Sequence, residues 1–352
     1  MDRILAGFGL KMSECSLTPF GNGLINHTWI LKNAEGDFIL QKVNSNVFTK
    51  PEDIASNFDL IENYLKQTGQ NYFFVAPVKT TDGKSLFFIE GDGYYRLFPF
   101  VAGSHSIVVV GNEDQAREAA KQFGLFTKVL SGIDVDRLKI TLPSFHDLSL
   151  RYQQFLEALE TGNRERIDAA AGLINELKDH SRIADRYEAI KINPGFKKRV
   201  THHDTKISNV LFNQNNKGIC VIDLDTVMPG YFISDVGDMM RTYLSPVSEE
   251  EKDFDKIEIR DAYYKAIVQG YLEQMNEELT PIEKEHFFYS GLFMIYMQAL
   301  RFLTDHLNND RYYGAKYEGH NLVRAQNQAV LLKRLLEKQE LLTAAIFLAA
   351  SE

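Results

Sequence analysis

Residues 27–31 and 38–43 are strand-like runs rich in aromatic and β-branched side chains, and the intervening 33–37 is rich in turn formers. This predicts a strand hairpin. A helix follows: Pro51 suits a first helical position, and Ile54, Phe58, Ile61 and Leu65 recur at helical spacing as far as Lys66. Residues 85–90 and 94–100 flank Gly91-Asp92-Gly93 as a second hairpin. From Asn112 the period becomes helical, with Ala119, Phe123, Phe126 and Leu130 on one face. Further helices are expected over 148–159, 164–189, 235–243, 256–275, 281–307 and 321–342. One hairpin interrupts them: apolar 210–212, turn residues 213–218, then apolar 219–222. The expected fold is α+β and bilobal, with a small β-rich lobe over 1–101, a large mainly helical lobe over 102–352, and a site in the cleft between.

Composition narrows the partners. The 352 residues carry an ordinary 44% hydrophobic content, a net charge of −9 and no run of Lys or Arg, which argues against nucleic acid or an anionic membrane surface and for small ligands. Cys15 and Cys220 lie far apart without metal-ligand spacing or a disulfide framework, which suits a reducing cytoplasm and gives no sign of zinc. The N-terminal residues mix charge and glycine and do not read as a signal peptide. The most apolar helix, 287–303, carries Ser290, Gln298 and Arg301 and reads as a core helix, too short and polar to cross a bilayer.

The candidate chemistry lies at the interrupting hairpin. His202-His203-Asp204-Thr205-Lys206-Ile207-Ser208-Asn209, followed by Asp223 and Asp225 after the second apolar run, orders the parts of a phosphoryl-transfer site. Asp204 would accept the proton of an attacking hydroxyl. Lys206 would reach the transferring phosphate, and Asn209 and Asp223 would give oxygen ligands to Mg²⁺. Asp225 either completes the metal shell or holds a neighbouring arginine. Asp235 and Asp238 read as a helix N-cap and a first-turn carboxylate, with Asp238 paired to Arg241.

With these residues in place, the chain resembles the phosphotransferases typified by aminoglycoside phosphotransferases and choline kinases, and most closely the N-acetylhexosamine 1-kinases. The likeness runs over nearly the full length, through residues 21–28, 38–44, 96–104, 202–209, 222–226 and 299–305. It implies a protein-kinase-like fold, ATP, Mg²⁺ and a sugar hydroxyl as acceptor, most specifically the anomeric hydroxyl. His203 and Leu224-Asp225 depart from the protein-kinase pattern, and no Ala-Pro-Glu follows, so switching by loop phosphorylation is not expected.

In that frame Gly21 and Gly23 would bring backbone N–H groups to the phosphates, and Lys42 would be the phosphate lysine of the third strand, oriented by Glu62 or Glu52. Residues 96–101 would form the adenine hinge, placing Phe98, Phe100 and Val101 at the nucleotide. Arg301 and Asp305, four apart on an apolar helix, would form an ion pair or meet the sugar's hydroxyls, with His27, Tyr312 and Tyr313 as further contacts. The rival acceptors are another sugar, an aminoglycoside, choline or homoserine. A nucleotide-binding pseudokinase is the rival of another class, and the presence of Asp204, Lys206, Asn209, Asp223 and Lys42 argues against it.

Overall fold

The computed structural model describes residues 1–21 and 25–349. Its first elements are helix α1 (Asp2–Gly7), strands β1 (Ser16–Pro19), β2 (His27–Asn33) and β3 (Gly36–Val43), helix α2 (Pro51–Thr68), and strands β4 (Phe87–Ile89), β5 (Gly93–Pro99) and β6 (His105–Ser106). Helices α3 (Glu113–Val129), α4 (Leu148–Thr161), α5 (Arg164–Ala169), α6 (Ala171–Asp179) and α7 (Arg182–Ile192) follow. Strands β7 (Arg199–Thr201), β8 (Val210–Phe212), β9 (Gly218–Val221) and β10 (Met228–Gly230) carry the motif region. The chain continues with helices α8 (Phe232–Tyr243), α9 (Asp261–Met275), α10 (Pro281–Lys284), α11 (Phe287–Leu307), α12 (His320–Glu337) and α13 (Gln339–Ala349). The fold is α+β, with an antiparallel sheet in the N-terminal region and a larger helical part. Two compact units form: residues 1–106, 129–143 and 209–229, and residues 107–128, 144–208 and 230–352.

The first unit is built on a five-stranded sheet of order β1-β2-β3-β5-β4, antiparallel throughout. Strand pleating sorts its side chains. Leu31, Leu40, Tyr95 and Leu97 bury one face against Ile4 and Leu5 of α1, a helix too short to leave a periodic signal in the sequence. Helix α2 buries Ile54, Phe58, Ile61 and Leu65, the four positions the spacing predicts, and the Phe58 ring lies 5.5 Å from that of Phe98 on β5. The buried Asn57 amide donates to the carbonyls of Lys139 (2.9 Å) and Val227 (3.0 Å), tying α2 to the segment after the second hairpin. That hairpin, β8 and β9, pairs with β6 in a three-stranded sheet.

In the second unit α11 is the central helix, and Leu300, Phe302 and Leu303 are each 0% exposed, a burial of about 2 kcal/mol per side chain. Helix α8 meets α11 at Gly237, where a Cβ would stand 2.3 Å from the Ser290 carbonyl oxygen. The periodic run 164–189 folds as three helices instead of one. Its breaks fall around Ala170–Gly172 and Asp179–Ser181, where Gly, Asp and Ser weaken propagation. Helix α9 likewise starts at Asp261, because residues 254–256 form a separate turn capped by Asp253. Among the described residues no helix is long and apolar enough to cross a membrane.

Candidate active site

In the second unit β7 delivers the loop 202–206, and α8 holds it by its backbone. Asp235 accepts the N–H groups of His202 (3.0 Å) and His203 (2.7 Å), and Asp238 accepts that of Thr205 (2.8 Å). The Thr205 hydroxyl donates to the Asp235 carbonyl (2.8 Å), and Tyr243 donates to the Thr205 carbonyl (2.6 Å). His203 takes a left-handed conformation (φ 68°), and its ring fills the space beside Gly230, where a Cβ would lie 2.5 Å from it. Lys206 Nζ lies 3.2 Å from Asp204 Oδ1. Burial works against the Lys206 charge, but Asp204 and Asp238 outweigh it and hold its pKa above the usual lysine value.

The carboxylates of α8 therefore serve the loop. The helix begins at Phe232, so Asp235 lies inside it and is not its N-cap, contrary to the sequence expectation. Burial pushes the Asp235 carboxyl up to about 7 against the two backbone donors that favour its charge. Burial also raises Asp238, opposed by Arg241, whose Nη2 is 2.9 Å away as expected.

In the first unit the Ile222 N–H donates to the Asn209 carbonyl (2.8 Å), which brings Asn209 and Asp223 to one end of the hairpin. Asp223 is left-handed (φ 60°, ψ 57°) at the entry to the turn 224–226. An amide and a carboxylate oxygen suit a hard cation that keeps waters and phosphate oxygens for its remaining ligands, so the pair fits Mg²⁺. Among the described residues no group of three or more His, Cys, Asp and Glu forms a larger metal cluster. Asp225 is engaged otherwise. It is 2% exposed, Arg96 grips both of its oxygens, and Asn26 Nδ2 donates to Oδ2 (2.8 Å). Of the two roles open to it, the structure shows the hold on an arginine.

Among the nucleotide-side residues, Lys42 is placed otherwise than expected. Gly21 is left-handed (φ 74°) with open space where a Cβ would point, and Gly23 lies outside the described residues. Lys42 shares the face of Leu40, where it pairs with Asp92 (2.5 Å) and lies over the Tyr95 ring. The opposite face carries Gln41, bonded to Thr28 and Arg96, and hence faces Asp225. Strand parity thus turns Lys42 away from the metal loop. Neither glutamate meets it: Glu62 binds Lys66 and Lys79, and Glu52 accepts from Tyr94. Phe98 packs on Phe58 and Arg96, while the Phe100 N–H donates to Asp37 (2.9 Å) and the Val101 carbonyl accepts from Ser104. These backbone groups of the expected hinge are already used. His27 is exposed at the start of β2, opposite Lys42 in register.

The Arg301–Asp305 ion pair does not form. Asp305, 4% exposed, accepts the backbone N–H groups of Tyr312 (2.7 Å) and Tyr313 (2.9 Å) and the Asn321 amide (3.1 Å), so it shapes a loop. Arg301 binds Gln298 (2.8 Å), and its guanidinium lies 5.4–5.8 Å from the ring centres of Phe145, Tyr312 and Tyr313. Phe145 stacks on His146 at 4.3 Å, and Ser234 Oγ meets the Nδ1 atoms of His146 (2.5 Å) and His203 (2.7 Å). This links the Arg301 cluster to the loop of Asp204 within one unit. Arg151 binds Gln154 and the Ser144 carbonyl. Phe145, His146 and Arg151 were not singled out in the sequence, and Gln298 was noted there only as a polar residue of the apolar helix.

A catalytic-type loop on a helical scaffold, with a two-oxygen hairpin beside an antiparallel sheet, is the equipment of a kinase-like phosphotransferase. The sequence pattern of the phosphotransferase enzyme family matches residues 16–281, and the chain belongs to that family. Its fold resembles an aminoglycoside phosphotransferase from Alicyclobacillus acidocaldarius (14% identity, 100% of this chain and 96% of that one, TM-score 0.66). It also resembles amicoumacin kinase hAmiN, solved with AMP-PNP, Ca²⁺ and Ami (14%, 92% and 90%, 0.60), and choline kinase from Cryptosporidium parvum (13%, 97% and 95%, 0.54).

Proposed function

We propose that this phosphotransferase is an ATP- and Mg²⁺-dependent kinase acting on a sugar, foremost on the anomeric hydroxyl of an N-acetylhexosamine, within a reducing cytoplasm. Asp204 accepts the hydroxyl proton as the sugar oxygen bonds to the γ-phosphorus and the bond to the ADP oxygen breaks. Lys206, kept cationic beside Asp204, stabilises the charge that moves onto the departing phosphate oxygen. Asn209 and Asp223 would hold the divalent ion. Bound Mg²⁺-ATP supplies the phosphoryl group and neutralises its oxygens. The complex of hAmiN with AMP-PNP and a divalent ion agrees with this pairing.

The observation that carries the acceptor is the charge of the Arg301 cluster. Among the described residues neither Arg301 nor Arg151 pairs with a carboxylate, and Asp305 spends both oxygens on Tyr312, Tyr313 and Asn321. A cationic acceptor such as choline or an aminoglycoside calls for carboxylates or an aromatic cage. The Arg301 guanidinium already occupies the rings of Phe145, Tyr312 and Tyr313, and with Arg151 it suits instead a neutral sugar with hydroxyl and amide oxygens to accept N–H bonds. The test is ADP release across N-acetylglucosamine, N-acetylgalactosamine, glucosamine, kanamycin and choline, coupled to a reducing-end assay. N-acetylhexosamines should support turnover with matching loss of reducing ends. Arg301→Ala should raise their KM by about tenfold with the KM for ATP unchanged. Turnover confined to the cationic acceptors would overturn the reading.

A further inference from the structure

The cation that strand parity removes from the metal-loop face has a substitute. Arg96 projects from β5 on the face of Gln41, flanked by the Phe58 and Phe98 rings at 5.9 and 5.2 Å, and is 3% exposed. Its partner is not a glutamate of α2 but Asp225, two residues beyond the metal-binding candidate Asp223. The second oxygen of Asp225 also takes the Asn26 amide, and Asn26 Oδ1 accepts the Asn44 N–H (3.0 Å) just past β3. One buried carboxylate thus joins β5, the end of β3 and Asn26, just before β2, to the loop that sets Asp223. Buried charge is costly unless it is paired, and here Arg96 and Asn26 together give Asp225 three donors, which favours this arrangement of the loop.

We infer that Arg96, Asp225 and Asn26 form a latch that positions Asp223 and the entry to β2 together, so that affinity for the metal–nucleotide pair depends on it, whereas Lys42 is dispensable for that affinity. All three are positioning residues. The inference rests on the kinase reading, and a binding measurement on the full chain separates the two. Calorimetric titration with AMP-PNP, with and without Mg²⁺, should show Mg²⁺ strengthening binding to wild type. In Asn26→Ala, which leaves the Arg96–Asp225 pair intact, the affinity with Mg²⁺ should fall about tenfold and the gain from Mg²⁺ should shrink. Asp225→Asn should lose more, and Lys42→Met should stay within about twofold of wild type. A purely structural ion pair would lower the melting temperature of Asp225→Asn without changing the gain from Mg²⁺. If Asn26→Ala is folded and keeps the wild-type gain, or if Lys42→Met loses tenfold, the latch is wrong and the kinase reading stands. If wild type binds no AMP-PNP with Mg²⁺, both fall.

Discussion

Replacing Asp235 by Asn tests whether α8 holds the loop of Asp204 and whether that loop carries the proposed catalysis. The carboxylate accepts two adjacent backbone N–H groups, whereas an amide offers one oxygen and turns its NH₂ toward the other donor. An orphaned buried donor costs about 1–3 kcal/mol, and a shift of about 1 Å in the loop can cost up to about 10²-fold in rate. We expect kcat to fall about 10- to 100-fold with little change in nucleotide affinity. The pH dependence gives an independent reading. Asp235 is pushed up to about 7, above its unfolded value, so the stability linked to it is full below the unfolded pKa and is lost as pH rises through about 7. From pH 5 to pH 8 that loss is about 2–3 kcal/mol, and the variant lacks it. Denaturant titrations should therefore find Asp235→Asn less stable than wild type at pH 5 and the gap closed or reversed at pH 8. Parallel stability profiles, or wild-type kcat in a folded variant, would refute the argument.

Asp204→Asn should bind nucleotide normally and lose at least about 10²-fold in kcat, the typical worth of a general base; normal turnover would remove Asp204 from that role. Cys220 is buried and its thiol is pushed up to about 12, so native protein at pH 8 should yield at most one reactive thiol, with the second appearing on denaturation. Rapid labelling of Cys220 in the native state, mapped by mass spectrometry, would contradict its burial.

Residues close in sequence were the readable ones. Asp204, Lys206, Asn209 and Asp223 fall within one loop and one hairpin, so their order could be recognised without the fold, and the α2 stripe from Ile54 to Leu65 declared its buried face by spacing alone. Partners far apart could not be read this way. Arg96 and Asp225 are 129 positions apart, and nothing in the composition marks either as the other's neighbour. The Lys42 assignment had a usable warning in the sequence: Leu40, two residues earlier, must share its face, and a leucine at that point belongs to the core. For Asp235 and Asp305 local rules favoured a helix cap and an i,i+4 pair. Tertiary backbone donors captured both carboxylates instead, and local spacing does not reveal such donors.

The hold of Asp305 on Tyr312 and Tyr313 bears on how this scaffold can change over evolutionary time. Because the carboxylate grips N–H groups common to every residue but proline, the path of that loop is written in α11 and not in the two tyrosines. Side chains at 312 and 313 are thereby released from any duty to shape the backbone. They can be exchanged singly on the same frame, most freely at the exposed Tyr312, whereas Tyr313 also packs on Phe302 and Arg324.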